Sequence, residues 1–323
     1  MDQASLGLIY FEVVSLYRNG LDSLDAQDMH FSDFSDWLFR TSDHRAELQK
    51  AQREFWTETL KDVQPTYLLS PTPSEEPLSD LTEIEATVDA TTLALCHSLM
   101  KEIGAKPSEG FFAVYNTLLY HYSSQETMVV GTTFTQRKTT QLANVVGPLT
   151  TSLPIKTTVD PNQTFQEYFT SFRADLSKSL ENGDIVYEDI NSEIPDPSRH
   201  PSLFRHSFTY DEMNLDAISG LKMEDMEVKN FRPLSKIMDK NQELLLDMYG
   251  KTGRVILRFN NHIFSEEKAR QFLDTYVTFV EALCRSPDSK MCDLSVLNPA
   301  AETAPVTSES LETTSLLAVT TTA

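Results

Sequence analysis

From about residue 82 onward the hydrophobic period of this chain alternates between two and 3.6, and that alternation restricts the fold more than any other feature. Ile84, Ala86 and Val88 alternate with polar residues, as in a half-buried strand. Helical patterns follow at about 90–104 and 109–122. The short apolar run from Met128 to Gly131, ending in Thr132 and Thr133, reads as a buried strand leaving a sheet. Further strands are expected at 150–157, 205–210, 243–249 and 253–259. Thr164-Phe165-Gln166-Glu167 is a capping box opening a helix to about Leu180. Ser265 caps a last helix from about Glu266 to Cys284, with acids in its first turn. Strands and helices in this order predict an α/β or α+β layered fold with a mixed sheet and flanking helices.

Upstream the pattern is helical. Leu6, Ile9, Tyr10, Val13, Leu16 and Tyr17 form one wide apolar stripe over residues 5–18. That stripe needs a cover, and few residues of this sequence precede it. Residues 31–61 carry aromatics and charges at helical spacing, predicting two helices broken near Ser42. Pro65, Pro71, Pro73 and Pro77 make 65–78 a crossing loop. Residues 299–323 hold seven Thr and three Ser, which sets them apart as a disordered tail or linker. The expected organisation is one folded unit over 1–298 followed by that tail.

Charge narrows the partners. With 27 Lys and Arg against 48 Asp and Glu, the net charge of −21 argues against nucleic acid and against an anionic membrane face. The sequence has no apolar run long enough to span a bilayer, and its acidic start lacks the basic region of a secretory signal. The three cysteines, Cys96, Cys284 and Cys292, include no CxxC pair, which predicts free thiols and a cytoplasmic, reducing location. A Cys284–Cys292 bridge is disfavoured on the same ground.

Familiar catalytic signatures are absent: no GxSxG, HExxH, GxGxxG or GxxxxGK[ST] occurs. No two of the seven histidines share an i, i+4 spacing on a helix, and no metal site is expected. His200 and His206 lie in RHPSLFRH with Arg199 and Arg205, a basic stretch that reads either as a surface loop or as a docking patch for an acidic partner. Acidic clusters such as Glu75-Glu76, or Glu224, Asp225 and Glu227, read as solvated faces. Composition and period stop at an acidic α/β domain and assign no reaction.

Several blocks together resemble the condensation domains of nonribosomal peptide synthetases, above all those of fungal hybrid polyketide–peptide enzymes. The clearest runs from 110 to 156 and contains Tyr122-Ser123-Ser124-Gln125, Gly131-Thr132-Thr133, Arg137, and Gly147-Pro148-Leu149-Thr150-Thr151-Ser152-Leu153-Pro154. AQREFWTETL (51–60), Pro201-Ser202-Leu203-Phe204 and RVILRFNNHIFSEEKARQF (254–272) fall in the family's order. The resemblance covers roughly 1–298. It implies one lobe of a two-lobed fold related to chloramphenicol acetyltransferase. In the family a His-His-x-x-x-Asp-Gly loop supplies the catalytic histidine, which deprotonates or orients the attacking amine.

Asp2 matches the Asp of that signature in a structural role, Gln3 stands where Gly is usual, and Ser5 opens the following helix. The resemblance places both histidines and the first lobe ahead of Met1, so it assigns no catalytic residue to these 323 positions. It assigns substrate binding to Thr133, Arg137 and Thr151, the last replacing an Asn of the family pattern. It implies no directly bound cofactor. The implied partners are an acyl or peptidyl carrier protein, with its phosphopantetheine, and a missing N-terminal lobe or synthase. Three roles follow: a protein of polyketide or peptide biosynthesis unable to form amide bonds alone that shapes, cyclises or releases a carrier-bound chain; a fragment of a larger acyl-transferring condensation enzyme; or a carrier-binding scaffold using Arg199–Arg205 or Arg137-Lys138.

Overall fold

A computed structural model describes residues 1–20, 23–24, 26–64, 66, 68, 82–194, 202–212, 222–223, 226–227 and 242–293. The prolines of the crossing loop, Arg199, His200, Pro201, the Glu75-Glu76 and Glu224-Asp225 clusters and the 299–323 tail lie outside these residues.

Three helices open the chain: α1 (Gln3–Asn19), α2 (Phe31–Arg40) and α3 (Ser42–Leu60). The Asp2 carboxylate caps α1 by accepting from Ser5 N at 3.0 Å, and Gly20 closes it at φ 80, a left-handed angle that glycine adopts without strain. Then come β1 (Thr82–Thr87), α4 (Ala90–Glu102), α5 (Pro107–Ser123), β2 (Thr127–Thr135), the single turn α6 (Thr140–Ala143), β3 (Thr150–Thr158), α7 (Phe165–Glu181) and α8 (Tyr187–Glu193). β4 (His206–Asp211), the short β5 (Lys222–Met223) and β6 (Met226–Glu227), β7 (Leu244–Tyr249), β8 (Arg254–Phe259) and α9 (Glu266–Arg285) complete the described elements. The expected break at Ser42, the capping box at Thr164 and the Ser265 cap are all present.

Six strands form a mixed sheet in the order β1-β8-β7-β4-β2-β3. β4 runs parallel to both β2 and β7, while the other neighbours are antiparallel. α4, α5, α7 and α9 cover one face. Ile84, Leu257, Leu246, Phe208, Val130 and Leu153 point into that layer and are buried. α5 is buried over ten consecutive residues, Gly110–Leu119, because it sits between the sheet and the other helices. Its Phe112 stacks on Phe208 at 4.9 Å and meets Phe172 of α7 edge-on at 5.2 Å. The opposite face is polar at the β1–β4 side, where Arg258 pairs with Asp247 and with Glu83 at 3.5 Å. α3 closes the β3 edge: Trp56 is fully buried and donates Nε1–H to Asn182 O at 2.9 Å.

The structure corrects the cysteine reading. Cys96 of α4 and Cys284 of α9 form a disulfide, with Cα atoms 5.8 Å apart, and Cys292 alone is free and exposed. The pairing arises from helix packing between residues 188 apart in sequence. The expected apolar stripe of α1 is divided, with Leu6, Ile9, Tyr10 and Leu16 half-buried and Val13 and Tyr17 exposed; outside it Val14 is buried and Phe11 exposed. No described helix is long and apolar enough to cross a membrane.

Candidate functional site

The start of α1 meets the loop between β2 and β3, and an ion pair joins them. Arg137 grips Asp2 with both ends of its guanidinium, Nη1 to Oδ2 at 2.6 Å and Nη2 to Oδ1 at 3.0 Å. Both side chains are nearly buried, 8% and 9% exposed. Arg137 Nη2 also lies 3.0 Å from Ser5 Oγ and 3.0 Å from Val145 O, so its two protons are shared among three acceptors. Asp2 Oδ2 accepts from Leu149 N at 2.9 Å and from the Thr150 hydroxyl at 3.1 Å. Ser5 Oγ lies 2.7 Å from Asp2 Oδ1 and 2.9 Å from Gly147 O, so its single proton serves one acceptor at a time, and it accepts from Gly147 N at 2.9 Å.

Burial alone would raise the Asp2 pKa, but the hydrogen bonds from Arg137 and Ser5 outweigh it and hold the carboxyl well below its ordinary range. Each oxygen of this carboxylate accepts from at least two donors. Asp2 is therefore a fixed anion that latches α1 onto the loop and has no capacity left as a proton acceptor. Below the latch, Phe31 and Phe34 of α2 pack with Leu38, Leu142, Val145 and Leu149. A Cβ on Gly147 would fall onto the Phe31 ring, so only glycine permits this close approach. Gln3 donates to Asp211 at the end of β4 and ties the same helix end to the sheet.

The three residues assigned to substrate binding are placed differently from one another. Thr133 on β2 is exposed, and Arg137 is engaged by Asp2. Thr133 pairs with Ser152, whereas Thr151 pairs with Phe134, so the two threonines point to opposite faces of the sheet. The cleft of about 390 Å³ near the latch is lined instead by Leu8, Phe11 and Glu12 of α1, Gln27 and Met29, and Thr140, Gln141 and Asn144. Gln27 spans it, donating to Glu12 at 3.1 Å and to Asn144 O at 3.3 Å. Sequence reasoning did not single out Gln27, Gln141 or Asn144, which carry no motif.

The basic stretch before β4 is partly internal. Arg205 is buried and pairs with Glu243, and fully buried His206 lies 3.4 Å from the same carboxylate. Neither is available to dock a partner. Lys138 pairs with Asp184 at 2.5 Å and lies over the Phe134 ring. Among the described residues no three His, Cys, Asp or Glu side chains form a group able to hold a metal ion.

Comparison with known proteins accords with this geometry. The Condensation domain family model matches residues 1–304. Gramicidin S synthase 2 of Brevibacillus brevis is 25% identical over 306 residues, 92% of this chain and 7% of the synthase. Bacitracin synthase 3 of Bacillus licheniformis is 24% identical over 311 residues, 92% of this chain and 5% of that one. The condensation domain from Monacolin K polyketide synthase MokA superposes with a TM-score of 0.73 at 14% identity, covering 90% of this chain and 68% of that domain. The first condensation domain of the CDA synthetase superposes at 0.71 and 16% identity, covering 91% and 64%. The chain thus spans a small part of each synthase and about two thirds of each solved domain.

Proposed function

This chain belongs to the condensation-domain family, and on that premise we propose that it acts on carrier-bound acyl or peptidyl chains in polyketide or nonribosomal peptide biosynthesis without forming amide bonds by its own residues. The observation that carries the reading is the Asp2–Arg137 latch. By its resemblance to the family pattern Asp2 corresponds to the Asp that follows the histidines of the motif, and here it accepts from Arg137, Ser5, Leu149 and Thr150. The chain contains no adjacent histidine pair, and no histidine is a partner of the latch. What the latch supplies is position: it ties the start of α1 to the β2–β3 loop, next to the part-apolar cleft lined by Leu8 and Phe11. A part-apolar cleft that holds one conformer of a flexible chain accelerates its cyclisation without acid–base groups.

The test offers the chain an acyl and an aminoacyl N-acetylcysteamine thioester and follows amide formation by mass spectrometry. No amide above the buffer control is expected. Amide formation by the chain alone overturns the reading.

The exposed Phe11, Val13 and Tyr17 of α1 favour a second reading, in which these residues are one lobe of a larger acyl-transferring condensation enzyme. Adding a first-lobe polypeptide that bears the histidine pair separates the two. A one-to-one complex that forms amide supports the second reading, and no complex supports the first. Of the cations the scaffold reading named, Arg137 and Arg205 are spent in buried ion pairs, Lys138 pairs with Asp184 at the surface, and Arg199 lies outside the described residues.

A further inference from the structure

We propose that Cys96 and Cys284 form a reversible thiol–disulfide clamp that fastens the β1–α4 edge of the sheet to α9. The sheet order makes β1 an edge strand, hydrogen-bonded along one side to β8 alone. Beyond that ladder the edge unit has a short set of polar ties. Val88 N donates to Gly253 O at 2.8 Å, Arg254 of β8 holds Glu85, and Arg270 of α9 donates to Glu85 O at 2.7 Å. Arg258 of β8 also pairs with Glu83 at 3.5 Å and Arg173 of α7 donates to Gly104 O at 2.8 Å, and Leu93, Cys96 and Met100 of α4 add an apolar seam against the helical layer. The disulfide sits on this apolar seam and, while oxidised, adds a covalent tie to it. Its Cα separation of 5.8 Å is ordinary for a disulfide, so the folded helices already present the two sulfurs to each other.

Accessibility gives the exchange a direction. Cys96 is 3% exposed, whereas Cys284 is half-buried. A dithiol reductant therefore attacks the Cys284 sulfur. The S–S bond breaks, Cys96 leaves as a thiolate and takes a proton, and a mixed disulfide remains on Cys284. The reductant's second thiolate then displaces Cys284, which is released as a thiol, and the reductant leaves as its own cyclic disulfide. Two electrons and two protons pass to the protein, and the reverse steps close the clamp. Cys292 is a poor competitor, because desolvation and the Asp293 carboxylate push its thiol pKa up and reduce its thiolate fraction.

The experiment uses the full chain with Cys292→Ser, equilibrated in mixtures of oxidised and reduced dithiothreitol. Maleimide tagging in denaturant counts open thiols, and hydrogen exchange reads the edge. The expected tag count rises from zero to two as the buffer becomes reducing. In the closed form the amides of β1 and α4 exchange as slowly as those of β2. In the open form they exchange at least tenfold faster than β2, a difference of about 1.4 kcal/mol. Two tags in oxidising buffer overturn the clamp, because the pair then does not close. Equal acceleration of β1, α4 and β2 also overturns it, because the bond then supports the whole fold and not the edge. Cys96→Ala should reproduce the open exchange pattern in either buffer.

Discussion

Removing the Arg137 side chain strands the Asp2 carboxylate. In Arg137→Ala the two guanidinium donors at 2.6 and 3.0 Å are lost from a carboxylate that is 9% exposed in the parent chain. Breaking a buried pair from one side costs about 3–5 kcal/mol. Ser5 N, Leu149 N and the Thr150 hydroxyl still donate to Asp2, which sets the expected cost near the lower end, about 3 kcal/mol. The cost falls on the opening of α1, so its amides should exchange roughly 100-fold faster, at about 1.4 kcal/mol per tenfold. Amides of α7, which shares no partner with the latch, should change little. An α1 effect below about fivefold, or an equal effect in α7, refutes the argument that this pair anchors the helix.

The same latch sets a pH dependence. The folded-state pKa of Asp2 lies below its unfolded value, so its contribution is fully present above about pH 4 and is lost as pH falls below that. Corrected for intrinsic exchange, α1 protection in the parent chain should hold between pH 7 and 5 and decay below about 4. Asp2→Asn should lack that decay.

Three further outcomes follow from packing. Gly147→Ala drives a methyl into the Phe31 ring and should cost about 1–3 kcal/mol, read as a lower urea midpoint. An unchanged midpoint means that α2 moves aside freely. Arg205→Met strands Glu243, which is 2% exposed, and should cost about 3–5 kcal/mol by thermal unfolding, whereas Arg205→Met with Glu243→Leu should come close to the parent. A single substitution that costs nothing would place Arg205 at the surface after all. Trp56→Phe removes the bond to Asn182 O and some buried volume, for an expected loss of about 1–3 kcal/mol in urea unfolding.

The elements were largely readable from period alone. Alternation at Ile84, Ala86 and Val88 marks β1, and the stripe at Leu6–Tyr17 marks α1, because a strand and a helix must each aim their apolar side chains one way. The caps at Ser265 and Thr164 were readable for the same local reason: their side chains satisfy amides three residues away. The short α8, YEDINSE, was not, since seven mostly polar residues carry no stripe, and its tertiary contacts through buried Ile190, Tyr187 and Asp189 are not visible locally. The resemblance to a family placed Asp2 and Arg137 in named blocks, but no spacing rule joined residues 135 positions apart.

Sequence by itself determined the longer strands and helices, the mixed α/β class, and the local caps, all of which depend on neighbours within a turn or two. Tertiary structure decided the rest. It set the order β1-β8-β7-β4-β2-β3, which makes β1 an edge. It set the register that turns Thr133 and Thr151 to opposite faces, where a shift of one residue reverses the answer. It brought Cys96 to Cys284 and Arg137 to Asp2, and it buried Arg205 in what reads locally as a basic surface loop. Those outcomes depend on which apolar faces find each other, a property of the whole packed chain that no short window of residues contains.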